Sequence, residues 1–336
     1  MFGLLLFLLN AAQCFTVIGH RGSGCSQPKC VSLYPENSIP SYLQAIKDGA
    51  DVVELDVWLS SDDQIVISHR DLQSKIERLG QIITPSLDGS KTPSVKHYNA
   101  SERYKFRVKL PWAYDKVRSS LYKSDKYVMQ WVPPIPLPKL SEVLDAVCPT
   151  GKKIVIELKG NDKAIGPRVF DLVTKKKMES CIHVVSSFYW KKYHGLMYQV
   201  VTDLMEPIKD DNRLKKALLF SMPPTNYPNM FKSAKYYNAS AFHPACSLLS
   251  KPKMKSFIAE ANGKGYDTMC YFGTNNKDDA DTLRETLKTG VKSICTNRPG
   301  VLRKIVDEVP LTEEESTPAE DFSFVDDDVE EEFVLE

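Results

Sequence analysis

Short, continuous apolar segments rich in β-branched residues recur along most of the chain, and longer polar or amphipathic segments separate them. A continuous apolar run of this length is typical of a strand that is buried on both faces, as in a parallel sheet. The predicted strands are residues 16–19, 52–57, 65–68, 154–158, 183–188, 217–221, 240–243, 268–272 and 293–296.

Helical patterns lie between these runs. Ser38 is placed to cap the first of them, and Pro40 stands in its first turn, where proline is tolerated. Alternation of strands and helices over most of the chain predicts a (β/α)8 TIM barrel, with an open doubly wound sheet as the alternative. The predicted helices are residues 39–48, 140–147, 166–175, 191–201, 251–262 and 278–288.

One long segment, about residues 72–135, interrupts this alternation. It is weakly periodic and aromatic, and residues 72–139 contain thirteen basic but only five acidic side chains. We interpret it as an insertion after an early strand, over the carboxyl-terminal mouth where barrel enzymes carry their active sites. A loop of this length must contain some structure of its own.

The charge is distributed unevenly. The 336-residue chain has a net charge of +1, yet residues 313–336 contain twelve acidic and no basic side chains. We therefore expect residues 311–336 to form a disordered acidic tail that aids solubility or, alternatively, inhibits the basic body. The body, with 44 basic against 31 acidic residues, suits an anionic partner such as a phosphate ester or a membrane surface. No nucleic-acid-binding motif accompanies this charge.

The first residues favour export from the cell. A short apolar block followed by small residues predicts a signal peptide at 1–14, which leaves 15–310 as the barrel domain. Asn99 and Asn238 begin N-glycosylation sequons, so a secreted or extracellular glycoprotein is expected.

The cysteines lack zinc-finger spacing. Cys25 and Cys30 lie close enough along one loop for a local disulfide. Cys181, Cys270 and Cys295 lie in or beside apolar runs, and we expect them to be buried thiols.

Chemically reactive residue types collect where predicted strands end. Residues two apart in a strand point to the same side, so Glu54 shares a face with Asp56. Glu157 shares one with Lys159 in the same way. Three converging carboxylates would repel one another without a cation, and such hard oxygen ligands suit Mg²⁺ or Ca²⁺.

Two histidines and two fixed cations complete this set. His20 and His69 follow apolar runs and could divide general acid and general base roles. Arg21 and Lys159 provide positive charge for a phosphate. Together the residues predict metal-assisted cleavage of a phosphodiester.

These segments, taken in order, resemble the glycerophosphodiester phosphodiesterase family. The resemblance covers most of residues 16–305, outside the insertion. The matching segments are residues 16–22 (Thr-Val-Ile-Gly-His-Arg-Gly), 35–38 (Pro-Glu-Asn-Ser), 49–57, 65–69, 136–144, 154–159 and 295–299.

The resemblance implies a TIM barrel, a divalent cation, and hydrolysis of glycerophosphodiesters to an alcohol and glycerol phosphate. It makes His20 and His69 the acid–base pair. It also implies roles for five charged residues: metal binding by Glu54, Asp56 and Glu157, and phosphate binding by Arg21 and Lys159.

Two further positions follow from the same resemblance. Glu36 would lie beside the metal ligands, as an additional ligand or as their support. Tyr271 stands where the family usually has a substrate-packing tryptophan, and Arg70 separates the second histidine from the aspartate that usually follows it.

Two other functions remain open at this point. The basic, aromatic insertion could hold lipid at a membrane surface, for phospholipase D-type cleavage of lysophospholipids or sphingomyelin. Alternatively, the barrel could bind phospholipid without catalysis. The head group, the oligomeric state and the choice between direct hydrolysis and a cyclic phosphate stay open.

Overall fold

The computed structural model describes residues 15–24, 34–69, 136–188, 203–221, 227–273 and 277–308, together with 82–84, 100 and 107–109. Several predictions fall outside these residues. They concern the signal peptide at 1–14, the Cys25–Cys30 pair, Arg70, the Asn99 sequon, most of the insertion, the helix at 191–201 and the acidic tail.

Eight parallel strands close into a barrel, which confirms the predicted fold. Each barrel strand pairs with its neighbours, and β1 pairs with both β2 and β11 to close the ring. The barrel contains every strand except β3, β4 and β5. The strands are β1 Thr16–Gly19, β2 Val52–Leu59, β3 Ile65–Ile67, β4 Ile82–Thr84, β5 Arg107–Lys109, β6 Lys153–Leu158, β7 Ile182–Phe188, β8 Lys216–Phe220, β9 Ala241–Pro244, β10 Asp267–Tyr271 and β11 Ser293–Thr296.

Helices alternate with the barrel strands. Ser38 caps α1 as predicted, because its hydroxyl accepts a hydrogen bond from the backbone N–H of Ser41. None of the helices in the described residues is long and apolar enough to cross a membrane. The α-helices of the described residues are α1 Ile39–Lys47, α2 Leu140–Val147, α3 Ile165–Lys175, α4 Tyr227–Tyr236, α5 Pro252–Gly263, α6 Ala280–Leu287 and α7 Pro299–Glu308.

Side chains alternate between the barrel interior and the surrounding helices. Val53 and Leu55 of β2 pack in the cluster that also contains buried side chains of α2 and α3. Glu54 lies between these two residues and Asp56 follows them, so both carboxylates point to the opposite side of the strand. Inside the barrel an apolar layer supports these carboxylates from below. The layer consists of Ile18, Val52, Val155, Val184, Ala217, Ala241, Met269 and Cys295.

One of the nine predicted strands lies outside the barrel. The segment predicted as a strand at 65–68 forms β3, which pairs antiparallel with β2 after a turn closed by Ser60 and Gln64. Within the predicted insertion, β4 and β5 pair antiparallel, so this region does contain structure of its own.

The prediction of free thiols at Cys181 and Cys270 is wrong. Cys148 forms a disulfide with Cys181, and Cys246 forms one with Cys270, whereas Cys295 is a buried free thiol as expected. Each disulfide joins cysteines of two separate elements. Cys148, just after α2, bonds to Cys181, just before β7, and Cys246, after β9, bonds to Cys270 in β10. The local sequence around each cysteine does not predict which other cysteine lies beside it in the fold.

Candidate active site

The carboxyl ends of β1, β2 and β6 bring most of the predicted site residues together. His20 follows β1 directly, and its backbone N–H donates to the Thr296 carbonyl at 2.9 Å, which ties it to β11. The chain then turns sharply through Gly22, whose φ is +86°. A Cβ atom there would lie 2.5 Å from the Ser41 hydroxyl, so only glycine fits between this turn and α1.

Arg21 is a buried cation held by three carboxylates. Its Nη1 donates to both oxygens of Glu36 at 3.1 and 3.0 Å, and its Nε lies 3.3 Å from Asp56 Oδ2. Its backbone N–H donates to Glu54 Oε2 at 2.9 Å. Burial alone would lower the pKa of Arg21, but the carboxylates of Glu36, Asp56 and Glu54 outweigh it and raise the pKa.

Lys159 is the second cation of the site. Its Nζ lies 3.1 Å from Asp56 Oδ1 and donates a hydrogen bond to Glu157 Oε1. The same ammonium stands 5.4 Å from the ring centroid of Phe188, on the neighbouring strand β7. The register that pairs Asp56 with Glu157 fixes this arrangement, because it places both carboxylates at one level of the barrel.

Three carboxylates converge closely enough to share one cation. Glu54, Asp56 and Glu157 each offer an oxygen, and these atoms lie within 4.8 Å of one another. Glu54 Oε1 is buried with no hydrogen-bond partner among the described residues. An unpartnered buried carboxylate oxygen is costly unless a cation binds it, so these residues fit a divalent metal ion.

The charges of the site support the same conclusion. Four carboxylates face only two cationic side chains, since Glu36 joins the three above. Glu36, Glu54 and Asp56 are buried, and Glu157 is partly buried. Burial, and then repulsion from Asp56 and Glu157, raises the pKa of Glu54 well above its ordinary value. Burial likewise raises the pKa of Glu157 to about 7, although Lys159 opposes this effect. A divalent cation would balance the excess of two negative charges.

Asp56 differs from the neighbouring carboxylates because its pKa is lowered rather than raised. Burial would raise its pKa, but Lys159 and Arg21 lower it below the ordinary value, and a hydrogen bond from Asn37 adds to this effect. Asn37 Nδ2 donates to Asp56 Oδ2 at 2.8 Å. Asn37 Oδ1 accepts from the Tyr42 hydroxyl at 3.0 Å and from the Asp56 backbone N–H at 3.3 Å. Asp56 is therefore held in one orientation.

His20 is buried and uncharged. Burial, followed by the positive charge of Arg21, lowers its pKa to about 3. Its Nε2 lies 3.9 Å from Glu54 Oε2. Asn297 partly opposes this lowering of the His20 pKa, and Asp278 holds Asn297 by accepting from its backbone N–H and its Nδ2 at 2.8 and 3.1 Å.

The remaining two predicted residues lie around this centre. His69 is half-buried and follows Ser68, whose backbone N–H donates to the Asp56 carbonyl at 3.1 Å. Tyr271 ends β10, and its ring meets Phe188 edge-on with centroids 6.4 Å apart. Burial, with a contribution from the charge of Glu157, raises the pKa of Tyr271, so its hydroxyl is protonated at neutral pH.

A cavity of about 460 Å³ opens beside Lys159. Trp58 lines it, on the same face of β2 as Asp56 and one step nearer the mouth. A Cβ atom on Gly160, whose φ is +88°, would lie 2.8 Å from the Trp58 ring. The indole therefore rests directly on the backbone at Gly160.

Several residues of this site were not predicted from the sequence. Asn37 and Asn297 lie within the family-like segments 35–38 and 295–299, and this position was the signal that could have identified them. Phe188 ends a predicted strand and Trp58 directly follows one, but nothing in their local pattern distinguishes them from core aromatics.

Comparisons with known proteins agree with this geometry. The sequence model of the glycerophosphoryl diester phosphodiesterase family matches residues 20–301. A comparison with curated proteins found no match.

Similar solved structures share the fold at low sequence identity. One is a phosphodiesterase from Oleispira antarctica in complex with its product sn-glycerol-3-phosphate, with a TM-score of 0.60, 16% identity, and coverage of 87% of this chain and 96% of that one. Glycerophosphodiester phosphodiesterases from Thermotoga maritima (TM-score 0.56, 18% identity, 87% and 98% covered) and Agrobacterium tumefaciens (0.57, 19%, 86% and 99%) are similar too. The family match spans most of the sequence, and the chain therefore belongs to the glycerophosphoryl diester phosphodiesterase family, whose members are phosphoric diester hydrolases.

Proposed function

We propose that this protein hydrolyses glycerophosphodiesters, such as glycerophosphocholine, to an alcohol and glycerol phosphate with the help of a divalent cation. The convergence of Glu54, Asp56 and Glu157 beside His20, Arg21 and Lys159 carries the proposal. A cation site, a neutral base and two phosphate-binding cations at one barrel mouth are the parts that phosphodiester cleavage requires.

Glu54, Asp56 and Glu157 would hold the cation, with Glu36 keeping Arg21 in place behind them. All are oxygen donors, which favours Mg²⁺ or Ca²⁺. When bound, the cation supplies positive charge that polarises the phosphoryl oxygens.

His20 and His69 would move the protons. Because burial keeps His20 uncharged, it can accept a proton from the attacking oxygen, which belongs to water or to the glycerol hydroxyl of the substrate. The new P–O bond forms as the bond from phosphorus to the alcohol oxygen breaks. His69, as imidazolium, would give that oxygen its proton.

Arg21 and Lys159 would bind the phosphate from two sides. Arg21 is fixed by Glu36 and Asp56, so its position costs no reorganisation when substrate binds. The cavity beside Lys159 would take one organic substituent of the phosphate, with the Trp58 ring as an apolar wall. Tyr271 would pack against the substrate across the mouth.

Substitution of the histidines tests these roles. His20→Ala and His69→Ala should each lower kcat by about 100-fold or more, the usual contribution of general acid–base catalysis. Circular dichroism spectra and melting temperatures should stay close to wild type. Full activity in His69→Ala would refute the two-histidine mechanism.

The product formed from different substrates tests the choice of substrate class. Glycerol phosphate from glycerophosphocholine supports the proposal. Lysophosphatidic acid or a cyclic phosphate formed only from lysophosphatidylcholine or sphingomyelin would move the protein to the lipid-cleaving class.

We also propose that the protein is secreted. The disulfides Cys148–Cys181 and Cys246–Cys270 suit an oxidising compartment, and Asn238 of the second sequon is exposed. Expression in a eukaryotic secretory host should give medium-borne protein whose mass falls on glycosidase treatment. Asn238→Gln should remove part of that mass, and retention of all the protein inside the cells would contradict the proposal.

A further inference from the structure

A second group of metal-binding atoms overlaps the carboxylate cluster from the β11 side. His20, Glu54 and Cys295 each offer a nitrogen, oxygen or sulfur atom, and these three atoms lie within 4.8 Å of one another. All three residues are at least nine-tenths buried. The only member shared with the carboxylate cluster is Glu54.

The strand pairing holds these residues in a fixed relation. Cys295 lies opposite Ile18 in the parallel pairing of β1 with β11. Ile18 is two residues before His20, so the two side chains point to the same interior side. The backbone hydrogen bond from His20 to Thr296 continues that pairing. The imidazole and the thiol are therefore positioned by the barrel wall itself rather than by a loop.

Unpartnered polar atoms supply an independent observation. His20 Nδ1 and Glu54 Oε1 are both buried, and neither has a hydrogen-bond partner among the described residues. Cys295 is a free thiol, unlike the four other cysteines of the described residues, which are paired. His20 and Glu54 thus each retain a buried atom that could bind a metal, and the Cys295 sulfur is not taken up in a disulfide.

The three atom types distinguish this group from a magnesium or calcium site. Zn²⁺ binds sulfur at about 2.3 Å and nitrogen or oxygen at about 2.0–2.2 Å, and three protein ligands with an open position are typical of it. Thiolate ligands favour zinc and other softer ions, whereas Mg²⁺ and Ca²⁺ prefer oxygen alone.

We propose that His20, Glu54 and Cys295 form a zinc-binding site and that zinc bound there inhibits the enzyme. Binding displaces the thiol proton to solvent and forms the sulfur–metal bond. Inhibition follows because the zinc ion takes a ligand of the catalytic cation, Glu54, and the imidazole that accepts the proton, His20. The inhibitory part of this inference rests on the proposed function, but the binding part does not.

Cobalt substitution tests the binding part without any turnover. We expect one Co²⁺ per metal-free chain to give the sulfur-to-cobalt charge-transfer absorption of a thiolate ligand, and one Zn²⁺ to abolish it. Cys295→Ser, which is close in size, should lose the band. Cys295→Ala should do so as well, and it guards against a folding defect peculiar to the serine.

Cys25 and Cys30 provide a matched control. A Cys25→Ser/Cys30→Ser double variant should keep the absorption band, since the proposed site does not include these two cysteines. Loss of the band in this variant, or its persistence in both Cys295 variants, would overturn the proposed site.

Zinc titration tests the inhibitory part. Loss of a residue that only hydrogen-bonds to a metal ligand lowers metal affinity roughly 10- to 100-fold. Because Cys295→Ser removes a ligand itself, the zinc concentration for half-inhibition should rise by more than that. Turnover with Mg²⁺ or Ca²⁺ alone should stay near wild type. Equal zinc inhibition of wild type and both Cys295 variants would refute the inhibitory role. An inactive wild type that still shows the band would refute the proposed function and leave the zinc site standing.

Discussion

Asn37 is expected to contribute strongly to stability, although it touches neither substrate nor metal in the proposed mechanism. Asn37→Gly removes the 2.8 Å hydrogen bond to the ionised Asp56 carboxylate, which is worth about 1.5–3 kcal/mol. It also leaves the buried Tyr42 hydroxyl without its acceptor, at a cost of about 1–3 kcal/mol. We therefore expect the free energy of unfolding to fall by about 3–5 kcal/mol.

Two further variants separate the contributions. Asn37 has a φ of +57°, so Asn37→Ala adds backbone strain that glycine avoids and should be about 1 kcal/mol less stable than Asn37→Gly. Tyr42→Phe removes only the hydroxyl and leaves the Asp56 contact, and it should lose about 1 kcal/mol.

Urea unfolding at neutral pH measures these differences. An Asn37→Gly variant within about 1 kcal/mol of wild type would refute the reasoning, and so would an alanine variant more stable than the glycine one. Activity gives a second measurement, because the lost hydrogen bond no longer lowers the pKa of Asp56. The acid limb of the pH–rate profile should therefore move to higher pH in Asn37→Gly.

Two other predictions concern the cation and the cavity. Burial raises the pKa of Glu157 to about 7 in the metal-free protein, so the stability linked to its protonation is lost as pH rises through that value. Saturating Mg²⁺ or Ca²⁺ should therefore raise Tm more at about pH 8 than at about pH 5, and Glu157→Gln should weaken this difference and require more cation for activity. Equal thermal shifts at both pH values would contradict the charge assignment. Trp58→Ala should raise KM by about 10-fold, equivalent to about 1.4 kcal/mol of lost substrate contact, and leave kcat nearly unchanged. Trp58→Phe should have an intermediate KM. An unchanged KM in Trp58→Ala would exclude Trp58 from the substrate cavity.

The barrel could be predicted from the sequence because parallel strands leave a strong signal. The runs at 52–57 and 154–158 are apolar except for the carboxylates Glu54, Asp56 and Glu157, and they form neighbouring parallel strands of the barrel. The run at 65–68 is likewise largely apolar but forms an edge strand outside the barrel. Strand direction depends on the short turn after Ser60, and hydrophobic pattern does not encode it.

Other features depend on contacts between distant residues. The helix α7 was not predicted, although Leu302 and Ile305 are buried and Val301 and Val306 pack against the same core. The disulfides join cysteines 33 and 24 residues apart, and only the folded barrel brings each pair together. The role of Asn37 depends on Asp56, 19 residues away. The carboxylates were predictable because strand alternation places them on one side, whereas the groups that orient them come from other elements.

A phosphorus NMR time course on glycerophosphocholine tests the central claim most directly. The purified protein is treated with chelator, and Mg²⁺ or Ca²⁺ is then restored to one half of the sample. The account predicts no turnover in chelator and glycerol phosphate as the product once the cation returns. Product formation at the same rate in chelator, or no cleavage by folded protein with either cation, would contradict it.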